Sequence, residues 1–279
     1  MRKVLILGAT GLIGSTITRF LQKQHDFEVH AVSRDCSSIT LPNTHNCDMN
    51  YQSLNSLMQS TNPMYVVNCV GLTKHLASGT SNTYLFPNVL IPLYLKRLKL
   101  KYGYSLIHIS SDCVFSGLNA PYSDTDQPDA LDHYGATKAI SETLLEADAM
   151  VLRTSTVGHE QNTKHGLLEW FLSQSGRVNG YKNAYFNGVT TLTLAKLIYQ
   201  LICSNVGFRI GIFNVASERI SKYDFLCIVQ KLYRSDNNIV PDEKVNIDRS
   251  LIQSKHINEN YCHSDWMTQL IQMKEEFND

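Results

Sequence analysis

The stretch Gly8-Ala9-Thr10-Gly11-Leu12-Ile13-Gly14 constrains this chain more than any other. A short aliphatic run, Val4 to Leu7, precedes it, and Ser15 to Gln24 after it has helical character. Strand, glycine loop and helix in that order form the first half of a dinucleotide-binding unit. Gly8 permits the sharp turn out of the strand, Gly11 lets backbone approach a pyrophosphate, and Gly14 lets the helix pack closely. The free N–H groups and positive dipole at the helix N-terminus then favour phosphate. Thr10, Leu12 and Ile13 complete the loop. Three glycines alone could be a plain turn; their place between strand and helix argues for a ligand.

Further strands are expected at Glu28 to Ser33, Met64 to Val70, Ser105 to Ser110 and Met150 to Thr154, with helices between them such as Tyr84 to Leu98 and Tyr134 to Glu146. Alternating strands and helices predict an α/β fold with a doubly wound parallel Rossmann sheet. After Gly158 the alternation loosens into a helix (Leu192 to Cys203), a strand (Gly211 to Val215) and a helix (Lys222 to Leu232). This pattern predicts an NAD(P)-binding domain over 1–157 that the chain re-enters around 189–216. A smaller C-terminal substrate-binding subdomain is expected from 158–188 and 217–279. The 279 residues, 43% hydrophobic, are ample for such a core.

Charge narrows the partners. Lys+Arg and Asp+Glu both number 25, so no basic excess points to nucleic acid or an anionic membrane. The seven cysteines are scattered without a CxxC pair, and the ten histidines form no ligand-spaced cluster, so neither a disulfide framework nor a metal site is expected. The first apolar run stops at Leu7, too short for a signal core, and the expected location is cytoplasmic.

Two further clusters carry chemistry. The second strand ends in Ser33-Arg34-Asp35. A serine and a guanidinium there suit the 2′-phosphate of NADPH, while Asp35 leaves NADH open through the ribose hydroxyls. His133-Tyr134-Gly135-Ala136-Thr137-Lys138 puts a phenol and an ammonium one helical turn apart. An ammonium beside a phenol favours the phenolate, which would bring Tyr134 within reach of proton transfer near neutral pH. Upstream, Ser110-Ser111-Asp112-Cys113-Val114-Phe115-Ser116-Gly117 follows a strand, at the end where parallel sheets bind ligands.

Glycine loop, Asn68-Cys69-Val70-Gly71, Ser-Ser-Asp block and YxxxK occur in order, and together they resemble the extended short-chain dehydrogenase/reductase family. The best resemblance is to its dTDP-4-dehydrorhamnose reductase branch. That branch's Ser-Thr-Asp-x-Val-Phe-x-Gly is similar to residues 110–117, and Leu152-Arg153-Thr154-Ser155 also matches. The resemblance implies NADPH-dependent reduction of a nucleotide-linked 4-keto-6-deoxyhexose by a homodimer. It implies that Ser111 hydrogen-bonds the substrate carbonyl, Tyr134 donates the proton, and Lys138 holds the nicotinamide ribose. It places Asp48 and Met49 beside the adenine, and Cys69, Val70 and Gly71 against the cofactor. Asn88 supports the site from a helix, and Lys74, Asp112, Thr156 and Arg249 lie toward the substrate.

The chain also departs from that branch. Thr156 stands where rhamnose reductases often have a tryptophan, and Gly166 to Phe171 is unlike the simplest of them, so a different UDP- or dTDP-sugar is expected, such as a bulkier 2-acetamido one. Cys113 follows Ser111 by two residues, a spacing that resembles GDP-fucose synthase, where the cysteine epimerises carbons beside the ketone. Epimerisation at C3 or C5 would need a partner acid, for which His159, His165 and Glu169 are candidates. A free cysteine is otherwise a small hydrophobe. Two other functions fit the same fold. An NAD-dependent epimerase or dehydratase is one, although dehydratases carry Asp-Glu where this chain has Asp112-Cys113. A non-catalytic NADP-binding regulatory subunit is the other.

Overall fold

The computed structural model describes residues 1–73, 81–160, 164–204, 207–261 and 264–278. In chain order the elements begin β1 (Arg2–Leu7), α1 (Leu12–Gln22), β2 (Phe27–Ser33), β3 (Thr44–Asn46), α2 (Tyr51–Thr61), β4 (Tyr65–Asn68), α3 (Ser81–Leu85) and α4 (Ile91–Tyr102). They continue β5 (Ser105–Ile109), α5 (His133–Leu145), β6 (Met150–Arg153), β7 (Thr156–Val157), α6 (Leu167–Leu172), β8 (Arg177–Phe186), β9 (Val189–Thr190) and α7 (Thr191–Cys203). The last are β10 (Gly211–Asn214), β11 (Ile220–Ser221), α8 (Lys222–Tyr233), β12 (Asn238–Asp248), α9 (Lys255–Asn260) and α10 (Trp266–Asn278).

Seven strands form a parallel sheet in the order β10-β6-β5-β4-β1-β2-β3. The chain winds outward through β2 and β3, returns to β4 beside β1, and winds the other way. That reversal opens a crevice beyond the carboxyl ends of β1 and β4, the usual ligand position in such sheets. Alternation along each strand feeds two cores. Val4 and Ile6 of β1 pack with Ile17, Leu21 and Leu197 on one face. Leu5 and Leu7 pack with Leu54, Leu95 and Leu145 on the other. The strands are buried on both faces, as parallel strands covered by helices must be.

A second sheet, β11-β8-β12, covers a third core built from Phe171, Phe186, Phe225 and Trp266. In it β8 and β12 run parallel, with a register shift between Asp242 and Asn246. Part of the expected C-terminal subdomain is therefore a long strand, β12. Among the described residues, no helix is long and apolar enough to cross a membrane.

The expected helix Tyr84 to Leu98 is not continuous. A π-helical turn, Phe86–Leu90, joins α3 to α4. Pro87 sits in it and cannot donate a backbone hydrogen bond. The turn carries Asn88, which is fully buried and reaches away from the helix.

Candidate functional site

The glycine loop closes over the crevice. Gly8 has φ +80°, and its N–H donates to Val32 O at 2.9 Å, which turns the chain out of β1. A Cβ on Gly14 would lie 2.2 Å from the Gly8 carbonyl oxygen, so only glycine lets α1 start this close to the loop. Gly11 caps α1 without any side-chain hydrogen bond to the first turn. The first N–H groups of α1 are left for an anion, and the loop fits a dinucleotide diphosphate.

Toward the adenosine end, Thr10 and Ser33 share a hydroxyl hydrogen bond of 2.7 Å. Asp35 turns into its own loop and accepts from Ser37 N–H at 2.8 Å, which holds its carboxyl below the usual range. Arg34 is exposed at the end of β2. Met49 is buried with φ +61°, and Asp48 beside it is exposed. From β4, Cys69 N–H donates to Leu7 O at 3.0 Å and Val70 N–H to Asn68 Oδ1 at 3.1 Å. Burial pushes the Cys69 thiol up to about 12, so it stays protonated. Asn88 ties this loop to α5: its Oδ1 accepts from Leu72 N–H at 2.9 Å and its Nδ2 donates to Thr137 Oγ1 at 3.2 Å.

The serine block and α5 meet closely. Asp132 caps α5 through the Gly135 N–H at 3.0 Å. A Cβ on Gly135 would lie 2.1 Å from the Cys113 carbonyl oxygen, so the glycine inside YxxxK lets the helix touch the serine block. This contact brings Tyr134 beside Ser111 and Cys113, which both act on its phenol. Ser111 Oγ donates to Asp112 Oδ1 at 3.1 Å and accepts from Cys113 N–H at 3.1 Å. Asp112 is buried, which pushes its carboxyl up. The Arg249 guanidinium, the Ser111 hydroxyl, the Cys113 thiol and the Lys222 ammonium all pull it back down. Arg249 is anchored by its Nε–H on Phe115 O at 2.9 Å.

Ser111, Asp112, Cys113 and Tyr134 face Thr10, Gly11, Leu12, Ile13, Cys69 and Gly71 across one cleft of about 440 Å³. Thr154 to Thr156, Glu160 and His165 complete its wall. A hollow of about 630 Å³ lies elsewhere and another of about 650 Å³ adjoins the cleft at His165; neither is lined by the serine, the tyrosine or the glycine loop.

Tyr134 and Lys138 share a helix face, but burial rather than the lysine dominates the phenol. Lys138 is 3% exposed and donates to Ile109 O at 2.6 Å. Burial is the main influence on both groups: it raises Tyr134 well above the ordinary phenol range and brings Lys138 down to about 8. The phenol therefore keeps its proton at neutral pH.

Two candidates for an epimerase acid are committed elsewhere. His159 Nδ1 and Glu169 Oε1 lie 2.6 Å apart, His159 Nε2 meets the Tyr233 hydroxyl at 2.7 Å, and the imidazole stacks on Phe277. His165 lines the cleft beside Glu160, whose Oε2 accepts from the His165 and Gly166 N–H groups at 2.7 and 2.9 Å. Lys74 lies outside the described residues. Sequence reading missed Lys222 and Glu160. Lys222 has no local motif, since it comes to Asp112 only through the packing of α8. Among the described residues, no group of three or more His, Cys, Asp or Glu could hold a metal ion.

Loop, sheet and cleft together define the NAD(P)-binding oxidoreductase fold of the extended short-chain dehydrogenase/reductase type. The chain belongs to the RmlD substrate binding domain family, which it matches over residues 1–254. A dTDP-4-dehydrorhamnose reductase from Bacillus anthracis, solved with NADP, superposes with TM-score 0.83 at 17% identity, covering 99% of each chain. One from Clostridium acetobutylicum gives 0.82 at 19%, covering 99% of this chain and 100% of that one. The dTDP-glucose 4,6-dehydratase of Bacillus anthracis, solved with NAD, gives 0.80 at 15%, covering 100% and 97%. By sequence, methionine adenosyltransferase 2 subunit beta of Danio rerio is 28% identical over 153 residues, 54% of this chain and 44% of that protein. The same subunit of Bos taurus is 30% identical over 142 residues, 50% and 42% of the two chains. The match thus spans less than half the length of these curated relatives.

Proposed function

We propose that the protein is an NADPH-dependent reductase of a nucleotide-linked 4-keto-6-deoxyhexose, a UDP- or dTDP-sugar. The observation that carries this reading is the single cleft in which Ser111 and Tyr134 face the glycine loop. Bound NADPH supplies a hydride. The remaining chemistry falls to the chain. Ser111 Oγ turns from Asp112 to the substrate carbonyl oxygen and polarises it. Tyr134 gives its phenolic proton to that oxygen as negative charge develops there. Lys138, released from Ile109 O, holds the nicotinamide ribose and balances the phenolate left behind. Arg249 and Lys222 supply positive charge beside Asp112, on the substrate side. The test is NADPH oxidation with a panel of 4-keto nucleotide sugars. Turnover of a UDP- or dTDP-linked member supports the reading, and a stable NADPH signal with every member overturns it.

Arg34 favours NADPH over NADH, because Asp35 is held by Ser37 while Arg34 stands exposed beside Ser33. A charge-assisted contact with the 2′-phosphate is at stake. Arg34→Ala should lower kcat/KM for NADPH by about tenfold or more. The value for NADH should stay within about twofold, since NADH has no 2′-phosphate to lose. Equal losses with both cofactors would remove Arg34 from the phosphate.

Cys113 adds epimerisation at C3 or C5. A 4-ketone acidifies the neighbouring C–H bonds, and the thiol lies in the cleft beside Tyr134. His165 is the candidate acid of the same cleft. Wild-type protein incubated with the keto sugar in D2O should incorporate deuterium at C3 or C5. Cys113→Ser should abolish that exchange and spare reduction, and an absence of exchange in the wild type ends the proposal.

The curated relatives are named as a subunit of another enzyme, which supports a second reading for this chain, a non-catalytic NADP-binding regulatory subunit. Under it, NADP+ would bind and a Tyr134→Phe variant would keep the biological activity in full.

A further inference from the structure

Beneath Lys138 lies a buried polar set that the reaction above does not use. Asn68 at the end of β4 and His108 in β5 are register partners on adjacent strands. Both are fully buried, as is Ser141 of α5. Asn68 Nδ2 lies 2.9 Å from His108 Nδ1, and His108 Nε2 lies 3.1 Å from Ser141 Oγ. Ser141 Oγ donates to the Lys138 carbonyl at 2.6 Å. Lys138 Nζ lies 3.3 Å from His108 Nε2.

The proton positions follow from the donors. Val70 N–H donates to Asn68 Oδ1, so the amide NH2 faces the imidazole. His108 Nδ1 must then accept, and the ring proton sits on Nε2. That N–H has an acceptor in Ser141 Oγ, because the serine's own hydrogen goes to the Lys138 carbonyl. His108 Nε2 therefore carries the ring hydrogen, directed to Ser141, and cannot accept from Lys138, whose ammonium donates to Ile109 O at 2.6 Å instead. Burial and the Lys138 charge both hold His108 well below the ordinary imidazole range, so the ring stays neutral. Beyond His108, the groups acting on Lys138 are Glu142 and Cys69.

We infer that His108 is a positioning residue whose Nε2–H tautomer, set by Asn68, denies Lys138 a second inward acceptor beside the Ile109 carbonyl and keeps its remaining ammonium hydrogens for the ribose and Tyr134. The inference deepens the proposed reduction and rests on it for the role of Lys138. It also couples two parts of the site, since Asn68 precedes Cys69 to Gly71 and Ser141 lies on the catalytic helix.

The test combines 15N NMR of the histidine side chains in the full-length protein with kinetics and NADP+ binding. His108 signals are assigned by their loss in His108→Gln. The wild type should show an unprotonated Nδ1 and a protonated Nε2 from pH 6 to pH 9; the opposite tautomer or an imidazolium overturns the inference. Asn68→Asp replaces the NH2 donor by an acceptor, so Nδ1 should gain a proton. With the lysine misplaced, kcat should fall by about ten- to a hundredfold and NADP+ should bind several-fold more weakly. An unprotonated Nδ1 in that variant, or a protonated one with kcat and NADP+ affinity within about twofold of the wild type, contradicts the inference. Should Asn68→Asp fail to fold, Ser141→Ala removes the acceptor of Nε2–H and should lower kcat by about three- to tenfold, and an unchanged kcat counts against the idea. A wild type that binds NADP+ but reduces no keto sugar sinks the proposed function alone. The tautomer and the NADP+ affinities of the variants still decide the inference.

Discussion

Tyr134→Phe is expected to lower kcat for the keto sugar by about 10²- to 10⁴-fold, the range over which a positioned proton donor contributes. NADP+ affinity should stay within a few-fold, because the phenol lies in the cleft beside Ser111 and Cys113 while the glycine loop is separately built. The variant keeps the ring that meets Tyr84 at 6.3 Å between centroids, so stability should change little. The pH profile carries the sign of the argument. Burial raises the Tyr134 phenol, so its proton is present through neutral and mildly alkaline pH. Burial lowers Lys138 to about 8, so its positive charge is lost as pH rises through that value. In the free enzyme, kcat/KM should therefore fall on the alkaline side near pH 8, from the lysine rather than the tyrosine. A limb that survives unchanged in Lys138→Met would contradict that assignment.

Glu142→Ala is expected to destabilise the fold by about 3–5 kcal/mol, the usual cost of leaving one member of a buried ion pair alone. Arg153 is 1% exposed and Glu142 likewise. The guanidinium meets the carboxylate through Nε at 3.0 and 3.1 Å and through a second nitrogen at 2.9 Å. Removal of the carboxylate strands a buried cation, and Ser110 Oγ, 2.5 Å from Glu142 Oε1, loses its acceptor too. Phe115 sits over the Arg153 guanidinium and stacks on Tyr122 at 4.0 Å, so the damage reaches the segment that follows the catalytic serine. Chemical denaturation with a two-state fit measures the loss. A change below about 1 kcal/mol would mean that the pair contributes no more than an exposed one.

The parallel sheet was legible because its strands are short apolar runs punctuated by glycine and polar turns, and the dinucleotide loop sits at the expected end of β1. The serine block and YxxxK were legible as motifs, while their meeting depends on the Gly135 contact with Cys113, which spacing does not reveal. The expected lowering of Tyr134 by Lys138 is outweighed by burial for a reason that spacing does not carry. A spacing of four residues places both on one helix face, but it does not report the Ile109 carbonyl that binds the ammonium or the burial that dominates both groups. Strands β8 and β12 were not anticipated. They mix polar residues on both faces, and their pairing brings together residues some sixty positions apart. Lys222 and the Asn68-His108-Ser141 set share that limit: each is made by long-range packing between elements that are individually ordinary. The interrupted helix around Asn88 is a local exception, flagged by Pro87.

The most direct test of the central claim is the fate of the hydride. The protein is incubated with NADPH carrying deuterium at C4 of the nicotinamide and a nucleotide-linked 4-keto-6-deoxyhexose, and the product is read by NMR. The account predicts deuterium at C4 of the hexose, from the face of the ring that the label occupies, with the new hydroxyl on the same carbon. Loss of the label to water, or recovery of both NADPH and keto sugar unchanged, would contradict it.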